Sequence, residues 1–325
     1  RHLLFTQTPY GDAEARSGFL GSGSGRAQRS ENGASRACVD ARVDSSGFLA
    51  GYESIDPAET AEGMKVYVYE ESNPPHPWFN GQTYVDTLNP AAIRAFLDVT
   101  HEKYAKCLGD AFGKTIPAIF TDEPQFARKG ALAFAHKMQD VTMPWTPDLP
   151  ETYAAAYAGE DIAMHLPELL WDLPDGRISP ARYHYHDHVT ARFVQAFADQ
   201  CGEWCARHNL MLTGHMMEEP TLKSQTAALG DAMRSYRAFQ LPGIDLLCDR
   251  REFTTAKQAQ SAARQYGREG VSSELYGVTN WDFDFRSQKL QGDWQAALGI
   301  TVRIPHLSFV SMNGEAKRDY PGTFQ

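Results

Sequence analysis

The chain lacks any apolar run near the roughly 20 residues that a membrane-spanning helix requires, and it has no cleavable leader pattern. It also lacks a basic excess. Its 31 Lys and Arg stand against 41 Asp and Glu, for a net charge of −10. That balance argues against nucleic acid or an anionic membrane surface as a partner and suits a neutral ligand. Cysteine is scarce. Cys38, Cys107, Cys201, Cys205 and Cys248 form an odd, sparse set in 325 residues, which excludes a disulfide framework. Cys201 and Cys205 flank Trp204 on an expected helix and read as buried thiols, with no partners at zinc-ligand spacing. A start at Arg1 and an end at Tyr320–Gln325 with no closing element are expected of a piece of a longer protein.

What the chain does have is acids at the ends of strand-like runs. Gly270–Gly277 reads as a short strand carrying Glu274, followed by Tyr276 and a turn glycine. Period-two alternation puts Ser272, Glu274 and Tyr276 on one face. Upstream, Ile116–Pro124 presents Asp122 and Glu123 after an apolar run. Pro124 disfavours the α region at Glu123, so that acid is expected to stay extended. Acids at the carboxyl ends of strands are where α/β barrels place catalytic groups, and two such acids suit acid/base chemistry on a glycosidic bond. The plainer reading is that both acids pair with arginines at the barrel rim.

Residues 1–80 read as a small β-rich segment. Strand-like runs at Leu3–Thr6, Ala37–Val43, Phe48–Tyr52 and Val66–Tyr69 suggest an antiparallel sheet, and Gly21–Gly25 reads as a flexible loop. The stiff stretch Asn73–Gly81 carries Trp78 and Phe79, either a sugar-stacking platform or a loop anchored by buried rings.

From residue 81 to 325 helices and strands alternate. Asn89-Pro90 caps a helix whose apolar face is Ile93, Phe96, Leu97 and Tyr104. Ser179-Pro180 opens a long helix to about His208, on which His184 and His188 share a face at i, i+4. That pair lacks the glutamate and third ligand of zinc-binding helices, so polar packing is the better reading. Met211–His215 is a strand ending in His215, with Glu218 and Glu219 on the loop beyond. A helix from Ala227 to Phe239 leads to a strand over Gly243–Asp249. The Glu274 strand follows, then Trp281–Phe285, which interleaves aromatics with acids. A helix over Leu290–Leu298 ends at Gly299, and a last strand carries His306 near its end.

Five βα units imply a parallel sheet. If they are strands four to eight of a (β/α)8 TIM-type barrel, Glu123 and Glu274 end strands four and seven, an arrangement that recurs among retaining glycosidases.

Gln82–Asn89, Phe120–Pro124, Gly214–Pro220 and Ser273–Gly277 resemble stretches of large bacterial glycoside hydrolases of the α-L-rhamnosidase type, family 106 and its uncharacterised relatives. The resemblance runs from about Val66 onward. It implies a (β/α)8 catalytic domain, cleavage of a terminal deoxysugar such as α-L-rhamnose, and a calcium ion near the site. Family 106 enzymes invert, whereas a strand-four and strand-seven pair usually goes with retention.

The expected activity is therefore that of a glycosidase needing no organic cofactor, with an oligosaccharide or glycoside as partner. Glu123 is the expected acid and Glu274 the nucleophile or base. Asp122, His215, Glu218, Tyr276, Trp281 and His306 are expected to line the sugar pocket. The alternatives are a metal-dependent barrel hydrolase using His184, His188, His215 and His306, and a carbohydrate-binding module without catalysis.

Overall fold

The computed structural model describes residues 1–10, 16–17, 26–27, 33–248, 250–279 and 282–306. The Gly21–Gly25 loop, Asp249 and Trp281 lie outside the described residues. The protein is mixed α/β and divides into two units. One comprises Arg1–Ala92, Phe126–Phe193 and Thr226–Gly230; the other comprises Ile93–Gln125, Val194–Gln225 and Asp231–Gln325.

The first unit is built on a five-stranded antiparallel sheet. Its order is Leu49–Ser54, Ala34–Val43, Met64–Glu71, His2–Thr6 and Val141–Pro144. The first four strands are those legible in residues 1–80. The fifth comes from far downstream, so the sheet is not confined to that segment. His2–Thr6 is flanked on both sides and wholly buried, which suits its run of Leu3, Leu4 and Phe5.

Helix Pro180–Phe193 buries Ala181, Tyr185, Val189 and Phe193, a stripe at four-residue spacing. Its histidines pack as polar groups. His184 Nδ1 lies 2.9 Å from Glu160 Oε2, and His188 Nε2 lies 2.9 Å from Thr152 Oγ1. Each ring has its own partner, so a metal held between His184 and His188 finds no support. Trp78 on the short turn Pro77–Phe79 is exposed, while Phe79 leans on Tyr84 with ring centroids 5.0 Å apart.

The second unit carries parallel strands. Ala118–Thr121 pairs with Met211–Gly214, and Gly243–Leu246, Ser272–Leu275 and Val302–Pro305 form a three-stranded sheet in that order. The two groups meet where Leu241 N–H donates to Leu212 O at 3.1 Å. A closed eight-stranded barrel is not formed by the described sheets.

Several expected elements differ in detail. The helix opening at Pro90 stops at Val99, and a second starts at His101, with Thr100 at φ −116°, ψ −71° between them. Tyr104 accordingly faces solvent rather than joining Ile93 and Leu97 in the core. The Ala227–Phe239 helix is two short ones, Leu222–Ala228 and Ala232–Tyr236. Gly230 between them has φ +92°, a backbone state no helix contains. The helix expected from Leu290 begins earlier, at Phe285, because Asp284 accepts from Ser287 N–H and caps it.

Two glycines let the parallel strands converge. Gly214 has φ +109°, and a Cβ there would stand 1.9 Å from Thr121 O. A Cβ on Gly243 would stand 2.4 Å from Gly214 O. These are backbone obstacles, which cannot swing aside. Gly214→Ala is therefore expected to cost about 3 kcal/mol or more, the range of backbone strain added to a core clash. A urea-unfolding midpoint within experimental error of the parent would contradict this packing.

Candidate functional site

Each parallel strand of the second unit ends in a residue that bears chemistry. Thr121 is followed by Asp122 and Glu123, Gly214 by His215, Leu275 by Tyr276, and Pro305 by His306, while Asp245 and Glu274 lie one residue inside their strands. The register sets Asp245 directly opposite Glu274, and Glu274 opposite Ile304.

These ends converge on His215, whose side chain is only 1% exposed. Its Nε2 lies 3.0 Å from Asp122 Oδ1 and 3.8 Å from Asp245 Oδ2, and its Nδ1 lies 3.6 Å from Glu274 Oε2. Glu274 Oε1 is also 3.9 Å from His306 Nε2. Glu123 offers an oxygen to the same cluster, within 4.8 Å of atoms of His215 and Asp245. Among the described residues neither ring nitrogen of His215 has an aligned hydrogen-bond acceptor. The ring is held at ion-pair distance by carboxyls, Asp122 the nearest at 3.0 Å.

The electrostatics follow. Burial opposes charge on His215, but Asp122, Glu219, Asp245 and Glu274 outweigh it and raise the imidazolium to about 9. Asp122, in turn, is held below the usual carboxylate range by its contact with His215. Burial pushes Asp245 up to about 8, with His215 opposing and Glu274, Glu123 and Glu219 adding repulsion. Burial also raises Glu123; His215 opposes, while Asp122, Glu274 and Glu218 reinforce.

Glu219 lies beneath this group. Burial raises it to about 7 against the pull of His215. The Tyr236 hydroxyl donates to it, as do the Met216 N–H at 3.2 Å and the Asp245 N–H at 3.3 Å. At neutral pH the site thus holds one buried cation and several carboxyls, of which Asp245 keeps its proton.

The backbone at these strand ends is unusual. Glu123 has φ +47°, Glu218 φ +59° and Tyr276 φ +73°. Glu123 is therefore left-handed and not extended. Proline excludes the right-handed helical region for its predecessor, and here the chain takes the left-handed well instead. Tyr276 falls beyond the strand, so alternation does not carry it onto the Glu274 face; its carbonyl accepts from Thr279 Oγ1 at 2.8 Å. Gly277 makes room for His306, whose Cδ2 would be 2.8 Å from a Cβ there.

Of the residues expected from sequence, Asp122, Glu123, His215, Glu274 and His306 come together, and Glu218 and Tyr276 lie on the adjoining loops. Asp245 and Glu219 were not expected. An acid inside the apolar run Gly243–Leu247 was the available signal for Asp245. Glu219 gave none that separated it from Glu218. As for metals, donor atoms of Asp122, His215 and Glu274, and of Glu123, His215 and Asp245, fall within 4.8 Å of one another. Calcium takes six to eight oxygens; each of these groupings offers two carboxyls beside one imidazole.

Because Asp245 keeps its proton in the fold but ionises above about pH 4 when unfolded, it lowers stability progressively as pH rises from about 4 to 8. Asp245→Asn is expected to raise the melting temperature at pH 8 by at least about 2 °C, since about 1 kcal/mol is worth 2–4 °C at this size. The gain should vanish near pH 4. Melting curves showing a larger gain at pH 4 than at pH 8 would reverse this sign.

No family model matches the chain, and no curated protein matches it. Among solved structures, a rhamnosidase from Novosphingobium sp. PP1Y is similar, with a TM-score of 0.54 at 18% sequence identity. The match covers 81% of this chain and 25% of that one, so the likeness is one of fold and extends over a quarter of the neighbour.

Proposed function

We propose that the chain carries the site of a glycoside hydrolase, with five parallel strands that are strands four to eight of a (β/α)8 barrel. The observation that carries the reading is the pairing of two unlike acids around one buried cation. Glu123 is pushed toward its protonated form by burial, and Glu274 lies 3.6 Å from the His215 imidazolium. Acids driven apart in this way divide the roles of acid and base.

Glu123 donates its proton to the glycosidic oxygen as the bond from that oxygen to the anomeric carbon breaks. Glu274 attacks the anomeric carbon or takes a proton from the water that does so. Asp122, Glu218, Tyr276 and His306, with Trp281, bind sugar hydroxyls and ring faces. A terminal α-L-rhamnoside is the substrate favoured by the sequence resemblance and by the rhamnosidase with a similar fold. Such a substrate is neutral, in keeping with an acidic chain. No step requires a metal.

The test compares leaving groups. Glu123→Gln should lose about 10²–10⁴-fold on a natural disaccharide, the usual worth of general acid catalysis, and far less on an aryl glycoside with a good leaving group. Glu274→Gln should lose both substrates alike. Equal losses in the Glu123 variant would remove it from the acid's role. The configuration of the first-formed sugar, read by NMR, distinguishes inversion from retention. Glycan binding without turnover of any glycoside would favour the carbohydrate-binding alternative, and activity lost to a chelator and restored by a divalent ion would favour the metal-dependent hydrolase.

A further inference from the structure

Resting on the glycosidase reading, we infer that His215 is the positioning residue of this site: one buried imidazolium draws together carboxyls from separate strand ends and holds Glu274 beside its positive charge.

The geometry is specific. The ring sits 3.0, 3.8 and 3.6 Å from oxygens of Asp122, Asp245 and Glu274, which come from three different strands or strand ends. Buried polar groups ordinarily find partners, and those set against both nitrogens here are carboxyl oxygens. What holds the ring is charge, and charge at a distance of 3–4 Å is felt strongly by every acid in reach.

All the elements packed against it contribute. Asp122 and Glu123 follow one strand, Glu219 follows the strand of His215 itself, and Asp245 and Glu274 come from the next two. His306 approaches Glu274 from the last strand. An uncharged ring would leave these acids repelling one another. The proton would then pass to whichever carboxyl is most buried or most crowded, Glu274 included. The Phe120 ring packs against the imidazole at a steep angle, with centroids 5.6 Å apart.

The experiment has two readouts. In kinetics, the acid limb of kcat/KM is followed on an activated aryl rhamnoside, for which protonation of the leaving group matters little. His215→Asn should move that limb up by about one pH unit or more, so that kcat/KM well below the limb's midpoint falls about tenfold or more and recovers as pH rises. A uniform loss with the limb in place would mean a structural role and overturn the inference, as would no change.

The second readout needs no turnover: NMR titration of 13C-labelled histidine in the intact chain. His215 should titrate near 9 and fall by about one unit in Asp122→Asn, a change at an exposed carboxylate that leaves the core untouched. A His215 midpoint near the ordinary 6.5 would overturn the inference whether or not the variants fold. If the chain hydrolyses no glycoside at all, the proposed activity fails while this titration still decides the state of His215.

Discussion

A positive charge removed from water is expensive unless opposite charges replace its hydration. The second unit meets that cost at His215 with carboxylates drawn from successive strands. The arrangement is reciprocal. Without the imidazolium, four or five acids would share a pocket in which like charges cannot all ionise. Without the acids, burial would discharge the ring. Burial keeps the proton on Asp245 even against the imidazolium beside it.

The cost is visible in the backbone. Gly214 accepts φ +109° so that its strand can close on Thr121, and Glu123, Glu218 and Tyr276 are left-handed where their strands give way to loops. Left-handed backbone at a residue other than glycine costs on the order of 1–3 kcal/mol, and such residues gather where function over-rules stability. The first unit shows the opposite economy: His184 and His188 lie on a helix face with a hydrogen-bond partner each.

Much of the fold was legible because apolar periodicity and turn residues act locally. Four strands of the antiparallel sheet and the parallel strands ending near Thr121, Gly214, Leu246, Leu275 and Pro305 stand where the pattern puts them. What stayed hidden is non-local. Nothing near Val141–Pro144 shows that it will edge a sheet formed by the first 80 residues. Asp245 lies inside a stretch read only as a strand, and its meaning depends on lying opposite Glu274 in the neighbouring one. Glu219 and Glu218 are adjacent and alike in sequence, yet one is sealed under Tyr236 and the other stands half-open. Proline at 124 correctly excluded one backbone region and wrongly favoured another.

The left-handed backbone at Glu123 has a consequence for how such a chain would change over time. Glycine occupies that conformation at no steric cost, so the side chain at this position is carried against a standing conformational pressure. A lineage released from selection on the site would gain stability by drifting to glycine there, and asparagine or aspartate would be the next easiest steps. Copies that had lost their chemistry would therefore be recognisable by relaxation at this one turn, with the strands and the buried core of the unit still intact.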